Sequence, residues 1–539
     1  MRTTPGRLLL LFVLVPFAAP LTAQSTRAER TGYAETSTHA DVLAFLDSLQ
    51  ARHAGIRTWT LTRSPEGRDV PIVLAARPMV SGADEAHRSG KPIVYIQANI
   101  HAGEVEGKEA AQMLLRDLTT GPLRRLLDSV IVLVVPIYNA DGNEQFAAGA
   151  VNRPGQNGPP IVGRRANGQG LDLNRDYTKL EAPETRASAE LIDRWRPHMF
   201  IDLHTTNGSY HGYNLTYSPG LNPNRGAANR YVQDVFLPAV GDRMAKRHRQ
   251  RIFPYGNFRN QTPDSLKLGW ETYDGRARFG TNWFGLRGGL SILSEAYSND
   301  PFAVRVAATY NFVREVLSLL VERKKAMLPL AERGLYADSV AVRQRYADST
   351  LRDVVAEITE ADSDGSGGYA RRKRSGTFRT IRMPVWDRFA AARSEAIPAV
   401  YLIPDRLQNV VELLRRQGIT VTSLSGGWTA HSEAFTIDSA RKAPRRFEGH
   451  SPLLAEGHWT TGPDSAAGAW YAVSTAQPLG LLAAYLLEPA SDDGVVAWNF
   501  LDADITAGAT FPVRRLREPL PAAGKSRRAN GADRNRRRQ

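Results

Sequence analysis

The sequence predicts an α/β protein with a mixed, mostly parallel sheet flanked by helices, followed by a smaller C-terminal α/β or α+β domain. Near-continuous apolar runs, typical of strands buried on both faces, alternate with segments of helical period. Three of these runs end at residues with metal-binding or acid–base side chains, namely His101, His204 and Glu295. Ligands of open α/β sheets bind at the carboxyl ends of strands. The pattern therefore predicts both a sheet and a functional site at its edge.

The first element is a helix over residues 40–53, where apolar residues recur at helical spacing. A strand pair at 58–61 and 70–75 follows, joined by the turn Ser64-Pro-Glu-Gly-Arg68. The next elements alternate, with strands predicted at 92–100, 129–138, 199–203 and 290–294 and helices at 107–118 and 188–194. This alternation predicts an α/β domain over residues 38–330.

A long helical region is predicted over 301–358, as a helix at 302–326 and a second helical segment after it. The stretch Asp362-Ser-Asp-Gly-Ser-Gly-Gly368 is the predicted linker, so residues 331–369 are assigned to a helical segment and linker. An accessory domain is predicted over 370–512, with strands at 398–403, 419–424, 469–474 and 495–500 and a helix at 407–417.

Composition restricts the chemistry. The 539 residues are 42% hydrophobic and 23% charged, which is typical of a globular protein with real cores. The chain has no cysteine, so disulfides, a thiolate nucleophile and a cysteine-ligated zinc are excluded. Any zinc site must therefore use histidine and carboxylate ligands.

The N-terminus predicts a secretory signal peptide over residues 1–23. Arg2 and Arg7 precede an apolar stretch at 8–17, and Leu21-Thr-Ala23 is a plausible cleavage site. We therefore expect a secreted or periplasmic protein, with a retained N-terminal anchor as the alternative. No stretch is long and apolar enough for a stable membrane span, which takes about 20 residues.

The formal charge of +14 is concentrated at the C-terminal end. Residues 514–539 contain ten Lys or Arg and two Asp or Glu, and few large apolar residues. We predict a basic, disordered tail over 513–539, which is either simply solvated or bound loosely to an anionic envelope or polymer. Aromatic and basic residues do not interleave, so a nucleic-acid partner is not predicted.

His101 and Glu104, in the segment His101-Ala-Gly-Glu104, are three residues apart after a predicted strand. Both side chains can converge on one ion from such a turn. The pair alone is weak evidence, because His101 could instead cap the following helix with Glu104 on its N-terminal dipole.

Further motifs make the pattern specific. Over about residues 38–320 the chain resembles the zinc carboxypeptidase family, the metallopeptidases related to carboxypeptidase A, in a bacterial subgroup with an appended C-terminal domain. In chain order the matching elements are Ser64-Pro-Glu-Gly-Arg68, His101-Ala-Gly-Glu104, Asn139-Ala-Asp-Gly142 (with Ala140 for the usual proline), Leu171-Asp-Leu-Asn-Arg175, His204 after Asp-Leu, and Glu295 in Leu-Ser-Glu-Ala-Tyr.

The resemblance implies that His101, Glu104 and His204 hold one Zn²⁺ and leave a position open for water, whose pKa the metal lowers to about 7. Glu295 would be the general base that accepts the proton of that water without binding the metal. Arg165 is the expected oxyanion donor, with Arg164 second. Either arginine could instead be an exposed loop charge.

The resemblance also implies that Asn174 and Arg175 bind the terminal carboxylate of a peptide, because a guanidinium grips a carboxylate bidentately. Asp172 would orient His101, unless it merely caps a turn. Tyr273 would close over the substrate, although a structural role is nearly as plausible. The side-chain pocket would be lined by residues between Tyr273 and Glu295, around 279–283, with Gly280 at the selectivity position.

Together these features predict a secreted zinc metallocarboxypeptidase that hydrolyses the C-terminal bond of peptides with a free C-terminus. Two alternatives stay open. One is a cell-wall peptide amidase or peptidase that uses the same site, and the other is a non-catalytic zinc- or peptide-binding protein.

Overall fold

The computed structural model describes residues 24–52, 55–332, 334–361 and 372–519. The helices are α1 (Arg27–Arg30), α2 (His39–Arg52), α3 (Ala83–Arg88), α4 (Glu106–Thr119), α5 (Ala140–Glu144), α6 (Gly149–Asn152), α7 (Pro183–Trp195), α8 (Ala227–Tyr231), α9 (Leu237–His248), α10 (Gly280–Leu286), α11 (Phe302–Glu332), α12 (Gln408–Arg416) and α13 (Gly480–Leu487). The strands are β1 (Ile56–Arg63), β2 (Asp69–Ala75), β3 (Ile93–Ala98), β4 (Ile131–Val135), β5 (Ala147–Ala148), β6 (Ile161–Val162), β7 (Met199–Thr205), β8 (Leu215–Pro219), β9 (Ile252–Pro254), β10 (Asn257–Phe258), β11 (Trp270–Glu271), β12 (Leu290–Ala296), β13 (Ser339–Tyr346), β14 (Thr350–Glu360), β15 (Lys373–Trp386), β16 (Phe389–Ala396), β17 (Val400–Pro404), β18 (Thr422–Leu424), β19 (Trp428–Lys442), β20 (Leu453–Ala466), β21 (Trp470–Ser474) and β22 (Arg514–Leu516).

The largest sheet among the described residues has eight strands, in the order β1-β2-β4-β3-β7-β12-β8-β9. The central strands β4, β3, β7 and β12 are parallel to one another, and β9 is parallel to β8. The antiparallel pairs are β1 with β2, β2 with β4, and β8 with β12. The predicted mixed, mostly parallel sheet is therefore confirmed. The predicted strands and helices of the first 300 residues are found at about their expected positions, although α7 begins at Pro183, before the predicted start at 188. The segment Asn139-Ala-Asp-Gly142 begins the short helix α5.

Two hydrophobic cores cover the two faces of this sheet, because successive residues of each buried strand point to opposite sides. Val94 and Ile96 of β3 pack with helices α2, α4, α9 and α11. Tyr95, between them, packs on the other face with α7 and α10. That second core continues into apolar residues beyond residue 400, such as Tyr401 of β17.

The chain beyond α11 forms a strand-rich C-terminal domain, a name used here for residues 334–361 and 372–519. Its largest sheet has the order β18-β21-β17-β22-β19-β20. The predicted second helical segment before residue 358 is wrong, because β13 and β14 occupy it. Val340 and Val342, and likewise Val354 and Ala356, are buried at strand period. The predicted linker at 362–368 lies outside the described residues.

Two further predictions in this domain are corrected. Residues 495–500 form turns rather than a strand, since the backbone N–H of Trp498 bonds to Gly494 O and that of Phe500 to Val495 O. The predicted tail does not begin at 513, because β22 lies between β17 and β19 and buries Arg515. The rest of the predicted tail, at 520–539, and the predicted signal peptide lie outside the described residues.

Across the described part of the chain, no helix has both the length and the apolar character to cross a membrane.

Candidate active site

The site residues lie at the carboxyl edge of the large sheet. His101 follows β3, and His204 and Glu295 lie near the ends of β7 and β12. These two strands are parallel neighbours, and Glu295 lies directly opposite His204. Glu104 lies in the turn from β3 to α4, where its backbone N–H bonds to His101 O at 2.9 Å. The sheet order thus brings together residues that are far apart in the sequence.

Three side chains converge on one point. Nδ1 of His101 lies 3.0 Å from Oε1 of Glu104, and Nδ1 of His204 lies 3.0 Å from Oε2 of Glu104 and 3.2 Å from Nδ1 of His101. All three residues are buried. Within the described ranges, this is the one group of three or more potential metal ligands whose ligand atoms all lie within 4.8 Å of one another. Ligand atoms that share a zinc at about 2.0–2.2 Å lie about 3 to 3.5 Å apart. The donor set fits zinc.

The outer nitrogen of each histidine faces an aspartate. Nε2 of His101 lies 3.0 Å from Oδ1 of Asp172, as expected for a residue that orients His101. Nε2 of His204 lies 2.9 Å from Oδ2 of Asp202, a residue that the sequence reasoning missed. Its position could have been predicted, because Asp202 lies two residues before His204 in β7 and residues two apart in a strand share a face. Both aspartates fix which nitrogen faces the centre of the site.

The charges of the site are strongly coupled. Burial opposes ionisation of Glu104, but His101 and Arg153 hold the pKa of its carboxyl well below the usual range. Burial also opposes protonation of His204, but Asp202 and Glu104 raise the pKa of that imidazole well above its usual range. The close contact between the Glu104 carboxylate and the two imidazoles contributes to both shifts.

Glu295 stands beside this group. It is 8% exposed, and its Oε2 has no hydrogen-bond partner among the described residues. Burial raises the pKa of the Glu295 carboxyl to about 8, an effect that Glu104 reinforces and His204 opposes. A buried carboxylate with a free oxygen is suited to hold a proton from a bound molecule.

The predicted oxyanion arginines and their neighbour Arg153 differ in placement. Arg165 lines the cleft, with Nη2 2.8 Å from Oδ2 of Asp172 and Nη1 3.5 Å from Oε1 of Glu104. Arg164 is exposed and donates to Gln145 instead. Arg153, which the sequence reasoning did not single out, lies 3.3 Å from Oε1 of Glu104 and donates to Thr205 O. Of the two predicted arginines, only Arg165 reaches the site.

Asn174 and Arg175 lie in a short 3-10 turn, Leu173–Arg175, and both line the cleft. The guanidinium of Arg175 stacks on Phe279, 4.0 Å from the ring centre. Oδ1 of Asn174 accepts the backbone N–H of Gly280 at 2.9 Å. The pair therefore presents a planar cation at the cleft, the group needed to grip a carboxylate.

Tyr273 also lines the cleft, but its hydroxyl is bound 2.9 Å from Oγ1 of Thr281. The phenol is thus held at the floor of the cleft in this structure. Phe279 and Leu293 complete an apolar floor. Within the expected span from Tyr273 to Glu295, Phe279 and Leu293 line the cleft. Trp283 is fully buried, and a Cβ on Gly280 would lie 2.8 Å from the ring of Tyr177.

Comparison with known proteins assigns the domain. Residues 42–278 match the family model for zinc carboxypeptidases. The chain contains a zinc carboxypeptidase domain. The matched range includes His101, Glu104 and His204 and ends before Glu295. The position of Glu295 beside His204 comes from the pairing of β12 with β7.

The relatives are carboxypeptidases. Carboxypeptidase 2 of Trichophyton equinum is 23% identical over 471 residues, covering 84% of this chain and 82% of its own. Carboxypeptidase D of Mus musculus is 31% identical over 194 residues, covering 33% of this chain and 13% of its own. A metallo-carboxypeptidase from Burkholderia cenocepacia, known by crystal structure, is 19% identical and covers 54% of this chain and 70% of its own, with a TM-score of 0.40. The family and the sequence relatives indicate a metallocarboxypeptidase hydrolase.

Proposed function

We propose that this protein removes the C-terminal residue of peptides with a free C-terminus, using one zinc ion per chain held by His101, Glu104 and His204. The proposal is carried by one observation: the Nδ1 atoms of both histidines lie 3.2 Å from each other, and each lies 3.0 Å from an oxygen of Glu104. When bound, zinc supplies Lewis acidity that makes water nucleophilic near neutral pH.

The protein groups supply positioning and proton transfer. Glu295, with a free Oε2 beside His204, accepts the proton of the attacking water and passes it to the departing amine. Arg165 donates to the oxyanion that forms at the scissile carbonyl. Arg175 and Asn174 hold the terminal carboxylate, so that the bond next to it is the one presented to Glu295.

The floor of the cleft indicates the leaving residue. Tyr273, Phe279 and Leu293 are apolar or aromatic, and no acidic side chain of the described residues lines the cleft apart from Glu104 and Glu295. We therefore expect neutral apolar C-terminal residues to be preferred over basic ones. The pattern of residues 1–23 supports export to the periplasm or the medium as part of the same proposal.

The test is hydrolysis of matched peptides that carry a free or an amidated C-terminus, with zinc-loaded and chelator-treated full-length protein. We expect cleavage of the free form alone, lost with the chelator and restored by zinc. Equal cleavage of the amidated peptide would refute the role of Arg175. Stoichiometric zinc binding without any cleavage would favour a binding protein instead.

A further inference from the structure

The substrate cleft is bounded by two segments of the catalytic domain, residues 172–175 and 273–280. The first carries Asn174 and Arg175, and the second carries Tyr273 and Phe279. They are joined by the bond from Gly280 N to Asn174 Oδ1 and by the stacking of Arg175 on Phe279. Each segment is also hydrogen-bonded to the C-terminal domain, the first through Glu448, 276 residues from Asp172, and the second through Asp493, 215 residues from Arg278.

The first contact comes from the tip of the β19–β20 hairpin. Oε2 of Glu448 accepts the backbone N–H of Asp172 at 3.0 Å. On the same tip, Nε2 of His450 lies 2.8 Å from Oε1 of Glu181. The hairpin tip therefore contacts the catalytic domain both before and after Asn174 and Arg175 in the sequence.

The backbone of Glu448 is unusual for its residue type. Its φ is +50°, followed by Gly449 at +79°, while Phe447 and His450 exchange backbone hydrogen bonds of 2.8 and 3.0 Å. Such a two-residue turn favours Asn or Gly at the first central position. A glutamate at this position is strained, and backbone strain of this kind is concentrated at functional sites. We infer that the strain is tolerated because the carboxylate of Glu448 binds the backbone of Asp172.

The second contact is a buried ion pair. Asp493 accepts from the backbone N–H of Arg278 at 2.7 Å and from its Nε at 2.9 Å, and Nη2 of Arg278 lies 2.8 Å away. The Asp493 side chain is 0% exposed, and Trp498 also donates to it. Arg278 directly precedes Phe279, so this pair fixes the ring on which Arg175 stacks.

Other bonds extend the same attachment. Nε2 of Gln344 donates to Oδ1 of Asp274 at 2.7 Å, and the hydroxyl of Tyr346 donates to Thr272 O at 2.9 Å. The hydrophobic core below is continuous between the two domains. The C-terminal domain is therefore bonded to the residues directly before and after Tyr273, at the start of the second segment.

We propose that the C-terminal domain supports the substrate cleft from behind, with Glu448 and Asp493 acting as positioning residues for Arg175. This rests on the proposed carboxypeptidase function. Glu448 would act by holding the backbone of Asp172 and by placing a counter-charge near Arg175. Asp493 would act through Phe279.

The test uses full-length chains with Glu448→Ala, Glu448→Gln and, as a control on the exposed part of the same hairpin, Arg446→Ala. We expect Glu448→Ala to raise KM for a free-C-terminus peptide about tenfold with kcat within about twofold, the effect of one lost hydrogen bond on substrate binding. Glu448→Gln keeps an acceptor for Asp172 N–H and should recover most of this loss. Arg446→Ala should match the wild type. An unchanged KM in Glu448→Ala would overturn the proposal.

A second measurement does not depend on turnover. Calorimetry of zinc-free protein with a free dipeptide and with its amide should show that Glu448→Ala and Asp493→Asn weaken binding of the free form and leave the amide unaffected. Unfolding midpoints of the same samples identify a variant that is merely unfolded. Wild-type binding that neither variant weakens would overturn the positioning roles but not the proposed function. A wild type that neither binds nor cleaves the free form would overturn both.

Discussion

Glu295 and His204 lie opposite each other on the neighbouring parallel strands β12 and β7. Residues paired in this way extend to the same face of a sheet. The proposed base is therefore placed beside a proposed metal ligand by backbone hydrogen bonds of the sheet and not by a mobile loop. Such a support suits a reaction that needs its groups held in fixed positions.

Replacing Glu295 by Gln is expected to lower kcat by about 100- to 10,000-fold, the usual contribution of a positioned general base. Gln keeps the shape of the side chain but cannot accept the proton. Zinc content should not change, because Glu295 is outside the group of three converging residues. Retained activity in a zinc-loaded sample would refute the assigned base.

Arg165 and Arg164 form a matched pair for testing the oxyanion donor. Arg165→Ala is expected to lower kcat by about 100-fold or more, as does loss of an oxyanion donor in other hydrolases. Arg164→Ala should have no effect, because that side chain is exposed and donates to Gln145. Steady-state kinetics of both variants on the same peptide would measure this difference in kcat. The reverse order of effects would assign the role to Arg164.

Asp202 and Asp172 should tune metal affinity from outside the ligand set. Asp202→Asn and Asp172→Asn are each expected to weaken zinc binding by about 10- to 100-fold, the usual cost of losing a histidine's outer partner. Competition with a chromophoric chelator measures this. An affinity that stays at the wild-type value in both variants would show that the aspartates do not orient the histidines.

Asp492 should make stability depend on pH. Burial and the nearby charge of Asp493 raise the pKa of its carboxyl to about 7, although Arg276 opposes this. Because the unfolded state loses this proton at lower pH than the folded state, the contribution of Asp492 to stability falls as pH rises from about 4 to 7. Asp492→Asn removes this pH-dependent decrease in stability, because asparagine has no carboxyl group to ionise.

We therefore expect the difference in free energy of unfolding, Asp492→Asn minus wild type, to increase by about 1 to 3 kcal/mol from pH 5 to pH 8. Chemical unfolding at both pH values measures the difference, with Glu190→Gln on an exposed position as the control. A difference between variant and wild type that is the same at both pH values would contradict the account.

Much of the catalytic domain could be predicted because its signals are local. The apolar runs of β3, β7 and β12 fix the strands, and His101, His204 and Glu295 follow from where those runs end. Glu104 lies in a short motif just after one of these ends, so the information lies within a few residues of the element that it describes. The role of Asp172, 71 residues from His101, was implied only by the resemblance to the zinc carboxypeptidases.

The C-terminal domain could not be predicted as well, because its strands are long, half-exposed and rich in residues that also suit helices. β14 carries Asp353, Glu357 and Glu360, and only its tertiary partners decide that it is a strand. Glu448 and Asp493 were invisible for a related reason: nothing near them in the sequence indicates Asp172 or Arg278, which only the folded chain brings close.

The most direct test of the central claim is a zinc titration of chelator-treated full-length protein by calorimetry, with His101→Ala, Glu104→Ala and His204→Ala beside the wild type. We expect one zinc per wild-type chain and an affinity at least about 100-fold weaker in each variant, because each removes one of three protein ligands. A wild type that binds no zinc, or a variant that binds it as tightly as the wild type, would contradict the claim that these three residues form one metal centre.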